Sequence, residues 1–315
     1  MLYFDAHAKI GQRPLKHKRT RWSTEHLLED MDLAEISGAL VSHGVAHAYD
    51  PLYGNKRLAI ELAKAPGRLY GLWCLLPVGS PDFFKDGPAL LQAMEDADIG
   101  AVRAVKGSYS LHDLLIGPTF SALQEAEILT LIEVGWGGSD PFVFFNELLT
   151  RYPRLPVLLT DHVWSQQRHV HRLMQLHDNL HLEFSGYQIN RGVERYTAEF
   201  GDERLLFGTG GTEKSPGAAR TYIDYAQIPA ESKRRIAGGN LRRLLKGQGP
   251  ECEAQPGRPV DGWIADVRAG RPQSGMILDA HVLCAVRRGT RRWCRLSHVR
   301  WRCPGDAGGQ CVVWH

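Results

Sequence analysis

The chain has 315 residues, enough for one large domain or for one barrel-sized domain with an appendage. Its composition, 43% hydrophobic and 23% charged, is that of an ordinary globular protein, and a net charge of +3 gives no strong attraction to nucleic acid. No run approaches the ~20 consecutive apolar residues of a membrane span, and the N-terminus lacks signal-peptide features, so we expect a cytoplasmic protein that binds neither nucleic acid nor membrane.

The first predicted strand, residues 2–11, carries three chemically capable groups. Asp5, His7 and Lys9 alternate along it with small or apolar residues. Because successive side chains on a strand point to opposite faces, all three are predicted to point the same way. In a β/α barrel the C-terminal end of each strand faces the active site, and this segment suits the first strand of such a barrel.

Seven further strands are predicted, separated by helical stretches. They cover residues 38–43, 69–76, 100–106, 128–134, 155–162, 180–185 and 204–209. Strands that alternate with helices are typical of an α/β chain with a parallel sheet. Eight strands in about 245 residues match a closed (β/α)8 barrel, the TIM barrel. No GxGxxG or P-loop motif follows the first strand, which argues against a nucleotide-dependent enzyme.

The chain after residue 247 is predicted to lie outside the barrel. Residues 248–275 are rich in Pro and Gly and are predicted to form a linker. Residues 276–282 then repeat the Asp-x-His theme of the first strand, and the chain beyond is rich in Arg, Trp and Cys. We interpret residues 276–315 as the truncated start of a second barrel or a poorly structured, disordered tail. A zinc module built from the cysteines of this tail is the alternative, without a CxxC pair to support it.

Four motifs carry a resemblance to a known family. They are Phe4-Asp-Ala-His7 with Ile10-Gly11, Tyr49-Asp-Pro51 with Gly54-Asn55, Leu205-Leu-Phe-Gly-Thr209, and the ending at residues 236–245. With them the chain resembles the amidohydrolase-related family, metal-dependent (β/α)8 hydrolases and decarboxylases of the amidohydrolase superfamily. The resemblance covers residues 1–247. It implies an enzyme acting on a small carbonyl- or carboxylate-bearing molecule with a divalent metal, zinc or manganese.

The metal ligands that the resemblance implies are only partly present. The family pattern has His-x-His on the first strand, histidines at the ends of strands five and six, and Asp after strand eight. His7 and His162 fit this pattern, whereas Lys9 stands where the second histidine belongs. Glu133 lies near the strand-five position, and Gly210 takes the place of the aspartate.

These differences predict a reduced metal site or none. Catalytic zinc needs about three protein ligands and an open water position, and a lysine ammonium repels a cation. We therefore expect either one metal ion held by His7, His162 and Glu133, or a metal-free site. Glu133 is an alternative salt-bridge partner of Lys9, and that pairing would make the site electrostatic.

The candidate catalytic residues are Glu133, Lys9 and His162. The two histidines, His7 and His162, are expected to be ligands or proton carriers, Glu133 a general base or ligand, and Lys9 an electrophilic or carboxylate-binding group. The leading hypothesis is an amidohydrolase-like hydrolase or decarboxylase with a small-molecule substrate. The alternative is a catalytically inactive barrel that binds a small molecule or a partner subunit. The sequence leaves a homo-oligomer open.

Three further residues near predicted strand ends have open roles. Asp161 is predicted to cap the following helix. The alternative is a remodelled site in which Asp161 or Glu183 joins His7, Glu133 and His162. Glu183 and Ser185 share one face of the seventh strand, where they line the pocket or belong to a polar layer inside the barrel.

Overall fold

The computed structural model describes residues 1–12, 21–105, 109–135 and 141–253. The strands within these residues are β1 (Phe4–Ile10), β2 (Gly38–His43), β3 (Leu69–Leu75), β4 (Ile99–Ala104), β5 (Leu129–Glu133), β6 (Val157–Thr160), β7 (Leu180–Glu183) and β8 (Leu205–Leu206). They form one eight-stranded sheet in chain order, and every neighbouring pair is parallel. The Ala6 amide donates to the Phe207 carbonyl at 2.9 Å, and Ala8 pairs with Gly211, which joins the two edges. The sheet closes into a nearly complete barrel, and the predicted (β/α)8 fold is confirmed.

Helices connect the strands. They are α1 (Thr24–Leu33), α2 (Gly44–Ala48), α3 (Pro51–Leu62), α4 (Gly87–Asp96), α5 (Asp113–Glu125), α6 (Pro141–Arg151), α7 (Gln167–Leu176), α8 (Gly192–Phe200), α9 (Pro216–Asp224), α10 (Ala230–Arg234) and α11 (Asn240–Leu244). The Ser23 hydroxyl accepts a hydrogen bond from the His26 amide at 3.2 Å and caps the N-terminus of α1. In the described part of the chain, none of these helices has the length and apolar character that crossing a bilayer requires.

Two apolar cores hold the barrel together. The inner core contains side chains from nearly every strand, among them Phe4, Leu72 and Leu158. Leu241 of α11 and Leu245, which follows that helix, also belong to it. The outer core lies between the strands and the surrounding helices. A packed interior of this kind leaves the C-terminal ends of the strands as the place where polar groups collect.

The pairing register between β1 and β2 shifts by one residue within β1. Asp5 pairs with Ala39 of β2, but Ala8 pairs with Val41, so three steps along β1 match two steps along β2. One extra residue in a strand reverses the alternation of its side chains beyond that point.

The irregularity changes which groups of β1 face the interior. Ala6 belongs to the inner core, whereas Ala8 belongs to the outer core. His7 and Lys9 therefore face the interior, but Asp5 does not share their face. The prediction that all three point the same way is wrong for Asp5, because the alternation is broken between it and the other two.

The domain boundaries after the barrel stay predictions. Residues 254–315, which include most of the predicted linker 248–275 and all of the predicted tail 276–315, lie outside the described residues.

Candidate functional site

Charged and polar side chains meet where the strands emerge at their C-terminal ends. His7 and Lys9 come from β1, Glu133 ends β5, and Glu183 ends β7. Asp161 follows β6 directly. His7 lies in the middle of β1 and the others lie near, at or just beyond the end of a parallel strand, so the closed barrel brings groups far apart in the chain to one mouth.

His7 is held by a buried carboxylate. Its Nδ1 lies 3.3 Å from Oε1 of Glu183, and the two side chains are 1% and 0% exposed. The Ser185 amide and hydroxyl also donate to Glu183, at 2.5 and 2.9 Å. Burial alone would raise the pKa of Glu183, but the hydrogen bond and charge of His7 outweigh it and lower the pKa to about 2. An ionised carboxylate only accepts hydrogen bonds, so Nδ1 of His7 carries a hydrogen and Nε2 is left for chemistry.

Replacing Glu183 with glutamine is expected to lower the free energy of unfolding by about 2–3 kcal/mol, because a buried amide cannot accept all the hydrogen bonds that the carboxylate accepts. Chemical denaturation at neutral pH measures the change. Glu199→Gln is the matched control, since Glu199 also pairs with a histidine, His171, but at the surface; its effect should be much smaller, because solvent screens the pair. Equal losses in the two variants would contradict a structural role for the buried pair.

Lys9 lies between two carboxylates at the mouth. Its Nζ is 3.6 Å from Oε1 of Glu133 and 3.9 Å from Oδ2 of Asp161. The predicted ion pair between Lys9 and Glu133 is thus confirmed. The Lys9 side chain is 13% exposed, so the ammonium remains reachable from solvent.

Asp161 faces the site and does not cap a helix. Its backbone adopts a left-handed conformation with φ 58°, and its Oδ2 lies 3.7 Å from Nε2 of His7. Burial opposes its ionisation, but the nearby cationic side chains, His7 and Lys9 foremost, hold its pKa well below the usual range. The prediction that Asp161 caps the following helix is wrong, because the left-handed turn aims the carboxylate into the mouth.

His162 is the second imidazole of the site. It is fully buried, its ring centroid lies 4.7 Å from that of Tyr187, and neither ring nitrogen has a hydrogen-bond partner among the described residues. Burial lowers its pKa to about 4, although the charges of Glu183 and Asp161 act in the opposite direction. His162 is therefore neutral near pH 7 and can accept a proton.

Lys214 was missed by the sequence analysis. Its Nζ donates to the Ser185 hydroxyl at 3.3 Å and lies 4.0 Å from Oδ1 of Asp161. Its stem runs beside Gly210, where any Cβ would come within 2.9 Å of the lysine Cδ. The glycine that replaces the expected aspartate therefore leaves room for a lysine, and no sequence pattern indicates that this lysine folds back.

Arg103 was also missed. It is completely buried, and its Nη1 donates to Oε1 of Glu133 at 3.2 Å. The sequence did contain an indication of its importance, since Arg103 is the single charged residue of the otherwise apolar β4. A charged residue within a buried parallel strand needs a partner, and Glu133 is that partner.

These side chains do not form a three-ligand metal centre. Across residues 1–12, 21–105, 109–135 and 141–253, no group of three or more His, Cys, Asp or Glu side chains is arranged to hold a metal ion. Glu133 contacts two cationic groups, Lys9 and Arg103. Metal binding by His7, His162 and Glu133 stays a prediction.

Comparisons with known proteins come from a family model and from solved structures. Residues 17–247 match the amidohydrolase family model. No curated protein sequence matches the chain.

Several solved structures share the fold. A 2,6-dihydroxybenzoate decarboxylase from Rhizobium is 17% identical with a TM-score of 0.59, covering 78% of this chain and 99% of that one. A 5-carboxyvanillate decarboxylase from Sphingomonas paucimobilis is 16% identical with a TM-score of 0.56 and the same coverage. The 5-carboxyvanillate decarboxylase of Novosphingobium aromaticivorans, complexed with manganese and a nitrobenzoic acid derivative, is 13% identical with a TM-score of 0.61, covering 78% and 96%. At these identities the likeness establishes the barrel fold alone.

Proposed function

We propose, since this chain belongs to the amidohydrolase family, that it is a hydrolase or decarboxylase of a small carbonyl- or carboxylate-bearing molecule and works with a reduced or absent metal site. The family accounts for the barrel and for the location of the site at its mouth. The substrate class and the electrostatic character of the site are our inference from the side chains that meet there.

One contact supports the proposal above the others. The Asp161 carboxylate lies within 4 Å of both Nε2 of His7 and Nζ of Lys9. A proton carrier and a positive charge therefore meet at one point of the mouth. These are the two kinds of group that acyl transfer and decarboxylation require, one to move a proton and one to stabilise negative charge on oxygen.

Each side chain has a defined part in this proposal. Lys9 binds the substrate oxygen that becomes negative. Before the substrate binds, Glu133 balances the positive charge of Lys9. His7 moves the proton through Nε2 while Glu183 orients its ring. His162, which is neutral, is the second proton acceptor.

The proposal contains no step through a metal. The described residues do not fit a three-ligand centre, and the carboxylate of Glu133 is already shared by Lys9 and Arg103. The ammonium of Lys9 supplies the positive charge from the position where the family pattern has a metal-binding histidine.

A substrate panel with metal analysis tests the proposal. We expect turnover of at least one ester, lactone, amide or carboxylate by the full chain, retained after dialysis against a chelator. The His7→Ala, His162→Ala double variant should lose this activity by a factor of about 100 or more, because both proton carriers are removed. A His169→Ala, His171→Ala variant is the matched control, since these two histidines lie on the outer helix α7.

Two results would change the proposal. Stoichiometric zinc or manganese that is required for activity and lost in the double variant would contradict the metal-free site and leave the reduced metal site that uses His7 and His162. No turnover across the panel would favour the alternative of a non-catalytic binding barrel.

A further inference from the structure

Arg103 is unusual among the charged residues of this barrel. Among the described residues it is the largest side chain with less than 2% exposure, and its guanidinium lies wholly inside the protein. A buried charge is costly unless its hydrogen-bonding groups are satisfied. Arg103 makes one such bond, from Nη1 to Oε1 of Glu133 at 3.2 Å.

The remaining donors of Arg103 form one edge. Nε and Nη2 are both buried, and neither has a hydrogen-bond partner among the described residues. These two nitrogens lie on the same side of the planar guanidinium, and their N–H bonds are nearly parallel. This edge is the fork that binds two oxygens of a carboxylate at once. Leaving it unpaired is unfavourable, and a planar oxyanion would satisfy both donors together.

The strand neighbours of Arg103 have small side chains, and a second cation shares its carboxylate partner. Cys74 is the register partner of Arg103 on β3, and Ala6 and Ser42 occupy interior positions on β1 and β2. Lys9 shares the Glu133 carboxylate with Arg103. Lys9 and Glu133 are 13% and 23% exposed, whereas Arg103 is 0% exposed. Of the two cations that share Glu133, Lys9 is therefore the one more accessible to solvent.

We propose that Arg103 binds a small planar oxyanion, of the carboxylate or bicarbonate type, through its paired Nε and Nη2 groups, with Lys9 as the second cation. The oxyanion's role as part of a substrate or as a released product rests on the proposed function. Its binding does not, because a carboxylate can occupy the fork without reacting.

Anion titration of the full chain tests this inference without turnover. Sodium formate, acetate, bicarbonate, nitrate and chloride are added at constant ionic strength and pH, and the melting temperature and calorimetric heat are followed. The planar oxyanions are expected to bind saturably, and spherical chloride at least about tenfold more weakly, because a single acceptor atom can meet the two parallel donors only with bent hydrogen bonds. Tighter binding of formate and acetate would indicate a substrate carboxylate, and tighter binding of bicarbonate a product.

Substitution locates the site. Arg103→Lys keeps the charge but removes the fork, and it should weaken oxyanion binding at least about tenfold. Arg234→Lys is the matched control, because Arg234 is 60% exposed on α10; it should bind as the wild type does. If Arg103→Lys does not fold, the contrast between nitrate and chloride in the wild type still decides the question.

The inference is overturned if chloride and nitrate bind equally, if no anion binds saturably, or if Arg103→Lys folds and keeps full affinity. Saturable oxyanion binding together with inactivity across the substrate panel would overturn the proposed function and leave this inference standing.

Discussion

Replacing Lys9 with methionine is expected to lower kcat/KM by about 100- to 1,000-fold on any substrate that the wild type turns over. Methionine keeps the length of the side chain but removes the only part of it that can stabilise negative charge. The ammonium lies 3.6 Å from Glu133 and 3.9 Å from Asp161, so its loss also leaves two carboxylates at the mouth without that counter-charge. Repulsion of an anionic substrate then adds to the loss of transition-state stabilisation.

A second lysine serves as the control for this variant. Lys64 also contacts two carboxylates, those of Glu25 and Glu61, but it lies beyond α3 at the surface, 43% exposed. Lys64→Met should retain wild-type kcat/KM. Steady-state kinetics and denaturation curves for both variants separate a catalytic effect from a general loss of stability. Full activity in Lys9→Met would remove this lysine from the mechanism.

Acidification from pH 7 to pH 4 is expected to lower the free energy of unfolding by about 3 kcal/mol for each of two buried histidines, His162 and His181. Burial lowers the pKa of both to about 4, and the charge of Arg243 acts in the same direction on His181. The unfolded chain therefore binds these protons near the ordinary value of 6.5, before the folded protein does. Their contribution is complete above pH 6.5 and is lost as the pH falls from 6.5 through about 4.

The His181→Gln variant removes the contribution of His181 to this acid-dependent loss of stability and leaves that of His162. Glutamine does not titrate, so the variant should lose about 3 kcal/mol less stability than the wild type between pH 7 and pH 4. His181 lies near the start of β7, away from the mouth, so the comparison does not disturb the site. His171→Gln is the control, because His171 is exposed and pairs with Glu199 at the surface. Urea denaturation at a series of pH values measures the difference, and identical acid slopes in His181→Gln and wild type would refute the assignment.

Local patterns predicted the framework of the barrel well. The second strand was predicted at residues 38–43 and is β2 (Gly38–His43). The eighth strand was predicted at residues 204–209 but is shorter in the structure, β8 (Leu205–Leu206). The family resemblance is confirmed by the match over residues 17–247.

The site was predicted in part. His7, Lys9 and Glu133 were named from strand ends, and the structure joins Lys9 to Glu133. The partner that holds His7 is Glu183, which is 176 positions away in the chain. The sequence predicted only that Glu183 lines the pocket or belongs to a polar layer inside the barrel. Its role could not be read from spacing, because it depends on which strands become neighbours when the barrel closes.

The sequence alone determined the number and order of the strands and the family, because these follow from side-chain periodicity and short motifs. Only the tertiary structure decided where the functional groups point. Closure of β1 against the chain after β8 sets Asp5 against the Thr209 amide, at 2.9 Å, and the irregularity beside it leaves His7 and Lys9 facing the interior. The left-handed turn at Asp161 aims its carboxylate inward. The direction in which a side chain points at a strand end changes when the register shifts by one residue or when one backbone angle changes. Contacts between distant segments of the chain set both the register and that angle.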